Sequence, residues 1–231
     1  MILQGNIQDN VDTITDGESV EKTLSIIELI ASGGTSGMVI ILILFILLIV
    51  ATYIYFERIF AIKAASKVDA NFMNQIKDHV SNGKVESAQM LCAQVNSPVS
   101  RLIAKGITRI GKPLEDINTA IENAGRLEIY NLEKNVSVLA TISGVAPMIG
   151  FLGTVVGMIL SIFELANAGG TIQMDVLASG LYTAMTTTVG GLIVGIIAYV
   201  AYNHIVVRTN KVVYQMEANS VEFLDHLHEP I

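Results

Sequence analysis

Thr183, Thr186, Thr187 and Thr188 place four hydroxyls within six residues of an otherwise apolar stretch that runs from Gly180 to Gly195. A second apolar stretch, Ala140–Met158, carries Thr154. At about 100° per residue, Gly150, Thr154, Gly157 and Ser161 share one helix stripe, and Thr183, Thr187 and Gly191 share another, with Thr188 and Gly195 beside it. A row of hydroxyls along a hydrated path can coordinate water or a cation. Thr154, Thr188, Thr183 and Thr187 are therefore the candidate ion pathway. The same residues allow a second reading. A threonine hydroxyl also bonds back to a carbonyl of its own helix. Gly150, Gly153, Gly157, Gly191 and Gly195 give small-xxx-small spacings that let two helices approach closely. Pro147 would bend the second stretch.

Other chemistry is sparse. The sequence has no Walker loop, no Gly-x-Ser-x-Gly, no Cys-x-x-Cys and no His-Glu-x-x-His. The chain is read as a non-enzyme without cofactor or metal. Its single cysteine, Cys92, excludes an intramolecular disulfide framework and reads as a small core residue. His79 reads as a surface or packing residue and His204 as an interfacial anchor. The tail Asp225-His-Leu-His-Glu229 holds four potential ligands, but adjacent groups rarely reach one tetrahedral centre, so a frayed, solvated terminus is expected. A net charge of −7 excludes a broadly basic nucleic-acid binder.

The elements that must hold the threonines follow from where charge is missing. Charged residues make up 15% of the chain, against about 25% in soluble domains. Leu29–Phe56, Asn135–Phe163 and Val176–Val207 contain no Asp, Glu, Lys or Arg over 28, 29 and 32 residues. A helix of about 20 residues crosses the hydrocarbon core, so each run can span. The first has the purest apolar centre, whereas the other two are broken up by Gly, Ser and Thr, as suits helices that face helices. Between the first two runs, the breakers predict helices over Ala70–Val80, capped by Asp69, then Val85–Val95 and Val99–Ile110. Pro113 then opens a near-continuous helix over 113–162, and the third span should project onward through Glu217. The fold class is all-α: an integral membrane protein with three transmembrane helices, long helices extending into the cytoplasm and a helical cytoplasmic domain.

Orientation follows from the basic residues. Of 14 Lys and Arg, only Lys22 precedes the first run, eleven lie in Glu57–Val136, and Arg208 and Lys211 follow the third. Cytoplasmic segments carry the excess of Lys and Arg. The amino terminus and the loop between the second and third runs should face away from the cytoplasm, and the middle segment and the tail should face it. The expected organisation is an outer segment 1–35, spans 36–56, 136–163 and 177–203, a cytoplasmic domain 57–135, an outer loop 164–176 and a cytoplasmic tail 204–231. Val20, Leu24, Ile27 and Ala31 suggest a short amphipathic helix in the outer segment, or the first turns of span one. Arg101, Lys105, Arg109 and Lys112 could meet anionic lipid or a partner's tail, or form a solvated face. No acidic residue lies inside any span, so a proton relay would need a carboxylate from a partner.

At these residues the chain resembles the MotA/TolQ/ExbB family of ion-channel proteins, over essentially its whole length and closest to the three-span ExbB and TolQ branch. The stretch Ala146-Pro-Met-Ile-Gly-Phe-Leu-Gly-Thr-Val-Val-Gly157 is similar to the family's span-two signature. The resemblance implies a pentamer around a dimer of a single-span ExbD- or TolR-like partner carrying a membrane Asp. It also implies a bacterial inner-membrane location, an ion-driven rotary motor, and work delivered to a TonB- or TolA-like protein. The family's pore threonines fall on Thr154 and Thr188. Thr183 stands where many members have Glu, a departure that suits sodium as well as protons. A non-conducting membrane scaffold is the competing reading.

Overall fold

The computed structural model describes residues 34–67, 69, 71–167 and 174–228. The expected amphipathic helix before Gly33 and residues 168–173 of the loop 164–176 lie outside them. Seven helices and no strand occur among the described residues: α1 (Gly34–Ala65), α2 (Phe72–Ser81), α3 (Val85–Val95), α4 (Pro98–Ile107), α5 (Leu114–Glu133), α6 (Val136–Asn167) and α7 (Met174–His228). The chain is all-α, and α1, the α5–α6 rod and α7 are each long and apolar enough to cross a membrane.

Two helix starts differ from expectation. α2 begins two residues late because Asp69 forms a turn instead of a cap: its carboxylate accepts the Asn71 amide at 3.1 Å and its carbonyl the Phe72 amide at 3.0 Å. α4 begins one residue early, with Pro98 in its first turn and reciprocal Ser97–Ser100 hydrogen bonds closing a capping box. It ends at Ile107 rather than Ile110, and the following turn closes at Gly111, whose φ of +93° suits glycine.

The expected continuous rod over 113–162 is broken at Lys134–Asn135, where Asn135 has φ +63°. Asn is among the few residues that adopt this left-handed conformation at modest cost, so neither Gly nor Pro was needed to stop the helix. Gly144 and Pro147 do not stop it, and α6 runs through both. The break frees the Asn131 carbonyl, whose helical partner would be the Asn135 amide. The guanidinium of Arg58, at the end of the apolar part of α1, donates to that carbonyl at 3.1 Å and also pairs with Glu57. Arg58 is buried and ties α1 to the break.

α7 has 55 residues, about 80 Å of helix. Its first half packs against α6 and α1. Its second half forms the wall on which α2–α5 assemble, with Phe72, Ile76, Ile103 and Ile107 buried alongside Val212, Met216 and Phe223 of α7. Gly106 lets this happen: a Cβ there would lie 2.8 Å from both Ile121 and Phe223. The expected frayed tail is thus a docked helix end. Phe223 is fully buried, Lys77 pairs with Glu222 at 2.7 Å, and Ser81 and His226 share a 2.9 Å hydrogen bond. Cys92 sits in this core, where burial pushes its thiol up to about 11.

Candidate functional site

α6 and α7 run antiparallel and meet along a seam of small residues. An ideal Cβ on Gly191 would lie 2.6 Å from the Ala146 carbonyl oxygen and 2.8 Å from the Gly150 Cα. One on Gly150 would lie 2.8 Å from the Thr187 carbonyl oxygen and 3.0 Å from the Gly191 Cα. These are backbone atoms, so the two helices touch chain to chain, and only glycine fits there. Towards one end of the seam, Gly195 makes room for the Pro147 ring, whose Cγ and Cδ would lie 2.6 and 2.8 Å from a Cβ. The ring removes the hydrogen bond to the Ser143 carbonyl, and that carbonyl also faces Gly195, 3.1 Å from the same position. Towards the other end, Gly157 faces Ala184, and Gly180 lies against the Ser161 side chain. Gly153 faces the Thr187 side chain, with its Oγ1 2.4 Å from an added Cβ.

The four candidate threonines divide by position. Thr187 is fully buried at the seam, and its hydroxyl donates to the Ala184 carbonyl at 2.8 Å and reaches the Gly150 carbonyl at 3.4 Å. Thr183 is buried on the side of α7 that meets α1: its Cγ2 lies 2.6 Å from an ideal Cβ on Gly37, and its hydroxyl donates to Ser179 at 3.0 Å. Thr154 and Thr188 are half-exposed instead. Thr188 donates to the Gly150 carbonyl at 3.2 Å, and Thr154 to the Phe151 carbonyl at 2.6 Å. The Gly150 carbonyl is also the helical acceptor for the Thr154 amide, so the Thr188 hydroxyl lies at the foot of Thr154. Thr188 is about 140° around α7 from Thr183, which places it on the edge of the seam away from α1.

The seam carries no acid or base of its own. Glu164 on α6 and Arg208 on α7 lie beyond the charge-free runs. Among the described residues, no group of acids, histidines and cysteines is placed to hold a metal. Along this seam a single copy therefore offers hydroxyls and carbonyls, which can order water or a cation.

Two working residues escaped the sequence reading. Gly37 is not among the packing glycines expected from the sequence, yet it receives Thr183. Arg58 reads as one of eleven basic residues, yet it caps the α5–α6 break; its place directly after a charge-free run was the available signal. The basic stretch on α4 and the turn after it is not uniform either. Arg101 makes a two-pronged ion pair with Glu128 on α5, at 2.7 and 2.6 Å, whereas Lys105, Arg109 and Lys112 are exposed.

The chain has recognisable relatives. The profile of the MotA/TolQ/ExbB proton channel family matches residues 94–218. The Tol-Pal system protein TolQ of Haemophilus influenzae is 31% identical, over 83% of this chain and 87% of that protein. A putative biopolymer transport protein ExbB homolog of Methanothermobacter thermautotrophicus is 27% identical over 70% of this chain, and the match spans 57% of that longer protein. The biopolymer transport protein ExbB of Aquifex aeolicus is 33% identical over 50% of this chain and 77% of its own length.

Proposed function

The chain belongs to the MotA/TolQ/ExbB proton channel family, and from this premise we propose that it is one subunit of an inner-membrane motor that turns an ion-motive force into work on a TonB- or Tol-type envelope system. α6 and α7 form the wall of the ion path. Thr154 and Thr188 face that path, while Thr183 and Thr187 fix the wall from within. Copies of the chain, five by the resemblance, surround a single-span ExbD- or TolR-like partner whose membrane Asp is the titrating group. The amino terminus lies outside and α2–α5 lie in the cytoplasm, a placement that the distribution of Lys and Arg supports.

The observation that carries this reading is the division of the threonines. A packing seam by itself needs hydroxyls only on its buried side. Here two lie on the exposed edge, around a carbonyl already used by the helix, beside a backbone contact too tight to flex. Pre-positioned hydroxyls and carbonyls lower the cost of stripping water from an ion.

The test is flux into liposomes containing the purified chain, alone and with its single-span partner, under separate proton and sodium gradients. Flux should require the partner. Thr154→Val and Thr188→Val should each lower it at least tenfold, while Thr187→Val, which keeps the shape of the seam, should lower it less than twofold. Sodium in place of proton flux would assign the Thr183 departure to ion choice. Undiminished partner-dependent flux in both Thr154→Val and Thr188→Val would overturn the pathway assignment. The same complex conducting neither ion would favour the scaffold.

A further inference from the structure

Away from the ion path, two cavities lie end to end in the groove between α1 and α7. One, of about 380 Å³, is apolar and is walled by Ala51, Thr52, Ile196, Ile197 and Val200. The other, also about 380 Å³, is walled by Ile62, Lys63, Ser66, Arg208 and Lys211. His204 lines both, and its Nδ1 is 2.9 Å from the Tyr55 hydroxyl, a bridge across the groove where the two cavities meet. Along both helices this is the level where charge returns: the charge-free runs end at Phe56 and Val207. Lys63, Arg208 and Lys211 are exposed and pair with no carboxylate among the described residues, and no Asp or Glu lines either cavity.

We propose that this groove is a binding site for an anionic glycerophospholipid, with one acyl chain in the apolar cavity and the phosphate against Lys63, Arg208 and Lys211. An apolar slot at hydrocarbon depth, continuous with a basic pocket at the interface, matches the two ends of one molecule. Basic pockets between spans on the cytoplasmic side suit anionic headgroups. Three cations with no acid beside them, of which Arg208 donates through Nε to His204 Nε2 at 3.4 Å, discriminate against a zwitterionic headgroup, whose ammonium would have no partner. The lipid would wedge α1 against α7 on the face opposite Thr188. This site is independent of whether the chain conducts ions.

Native mass spectrometry of the full-length protein, titrated with phosphatidylglycerol or phosphatidylcholine, tests it. A basic residue near a membrane surface is worth roughly fivefold in affinity for anionic lipid. Phosphatidylglycerol should therefore bind well above phosphatidylcholine. The triple variant Lys63→Ala, Arg208→Ala, Lys211→Ala should weaken it on the order of a hundredfold and leave phosphatidylcholine unchanged. Ile197→Trp, at an exposed position that fills the slot, should weaken both lipids while helix content by circular dichroism stays constant. Equal binding of the two lipids, or a triple variant that still prefers phosphatidylglycerol, overturns the proposal. So does displacement of the lipid by millimolar inorganic phosphate, which would make this a phosphate site. Loss of the oligomer in Ile197→Trp, with no lipid retained by the native protein, also overturns it and assigns the groove to a second copy of the chain.

Discussion

Gly191→Ala should loosen the contact between α6 and α7 by an amount the geometry sets. The added methyl would sit 2.6 Å from the Ala146 carbonyl oxygen and 2.8 Å from the Gly150 Cα, where ordinary contact begins near 3.4 Å. Both neighbours are backbone, so no side chain can turn aside, and the helices must part by about 0.8 Å. A radial gap of that size forfeits roughly a quarter to a half of the dispersion at each contact it opens. It also stretches the 3.2 Å Thr188–Gly150 hydrogen bond beyond useful range. Overpacking of this kind costs about 1–3 kcal/mol, offset by up to about 1 kcal/mol because alanine favours helix over glycine. The expected net loss is about 1–2 kcal/mol. Gly144→Ala is the control, since nothing lies within 4 Å of its Cβ position. It should be neutral or stabilising. The assay is reversible unfolding in mixed micelles of mild detergent and dodecyl sulfate, followed by circular dichroism. If Gly191→Ala matches Gly144→Ala within about 0.5 kcal/mol, the backbone-to-backbone seam is refuted.

Arg58→Met removes the donor to the Asn131 carbonyl at the α5–α6 break; Asn131 is exposed and water can replace the donor, so the loss should be about 0.5–1.5 kcal/mol. Amide exchange just after the break should accelerate in that variant, and unchanged exchange would mean that Arg58 does not hold it. Cys92 should resist alkylation: with its thiol pushed up to about 11, its thiolate fraction at pH 7.5 is roughly 100-fold below that of an unburied thiol. Maleimide labelling of folded protein at the free-thiol rate would contradict its burial. The raised thiol also means that its share of stability is complete below about pH 9 and is lost as pH rises to about 11, which denaturant titrations at the two pH values would register. Arg101→Ala should cost about 1 kcal/mol or less, because the Arg101 side chain is 44% exposed, and the loss should shrink in 1 M salt.

The long apolar helices were legible because lack of charge over 28 or more residues has few other physical meanings. The α3 boundaries at Val85 and Val95 were equally legible, since Asn82-Gly83 and Asn96-Ser97-Pro98 stop a helix locally. What was missed depends on tertiary contact. Asn135 breaks the rod through a left-handed φ that asparagine adopts at modest cost, and Arg58 of another helix takes the carbonyl it frees. The acidic tail stays helical because Phe223 finds the core of α2–α5. The threonine stripe was visible as a pattern, but periodicity gives the face of a helix and not its neighbour. Thr187 and Thr188 are adjacent in sequence and 100° apart on the helix, and only the position of α6 decides that one is sealed and the other half-exposed.

Thr183 shows why the ionisable group should be sought outside this chain. Its side chain is enclosed between α7 and Gly37 of α1, with its hydroxyl already used by Ser179. A carboxylate placed there would be longer than the space that glycine leaves, and no Lys or Arg lies within the charge-free runs to pair with it. Burying an unpaired carboxylate costs several kcal/mol, so it would either take up a proton or push α1 away. Threonine avoids both outcomes by satisfying itself within its own turn. On the proposed pathway, a wall made by this chain would stabilise an ion in transit but hold no proton between cycles. Thr183→Glu should therefore weaken the α1–α7 contact. It should add a pH dependence to partner-dependent flux beyond that of the native complex. A variant that folds with native stability, and whose flux is no more pH-dependent than before, would show that position 183 is open to the path after all.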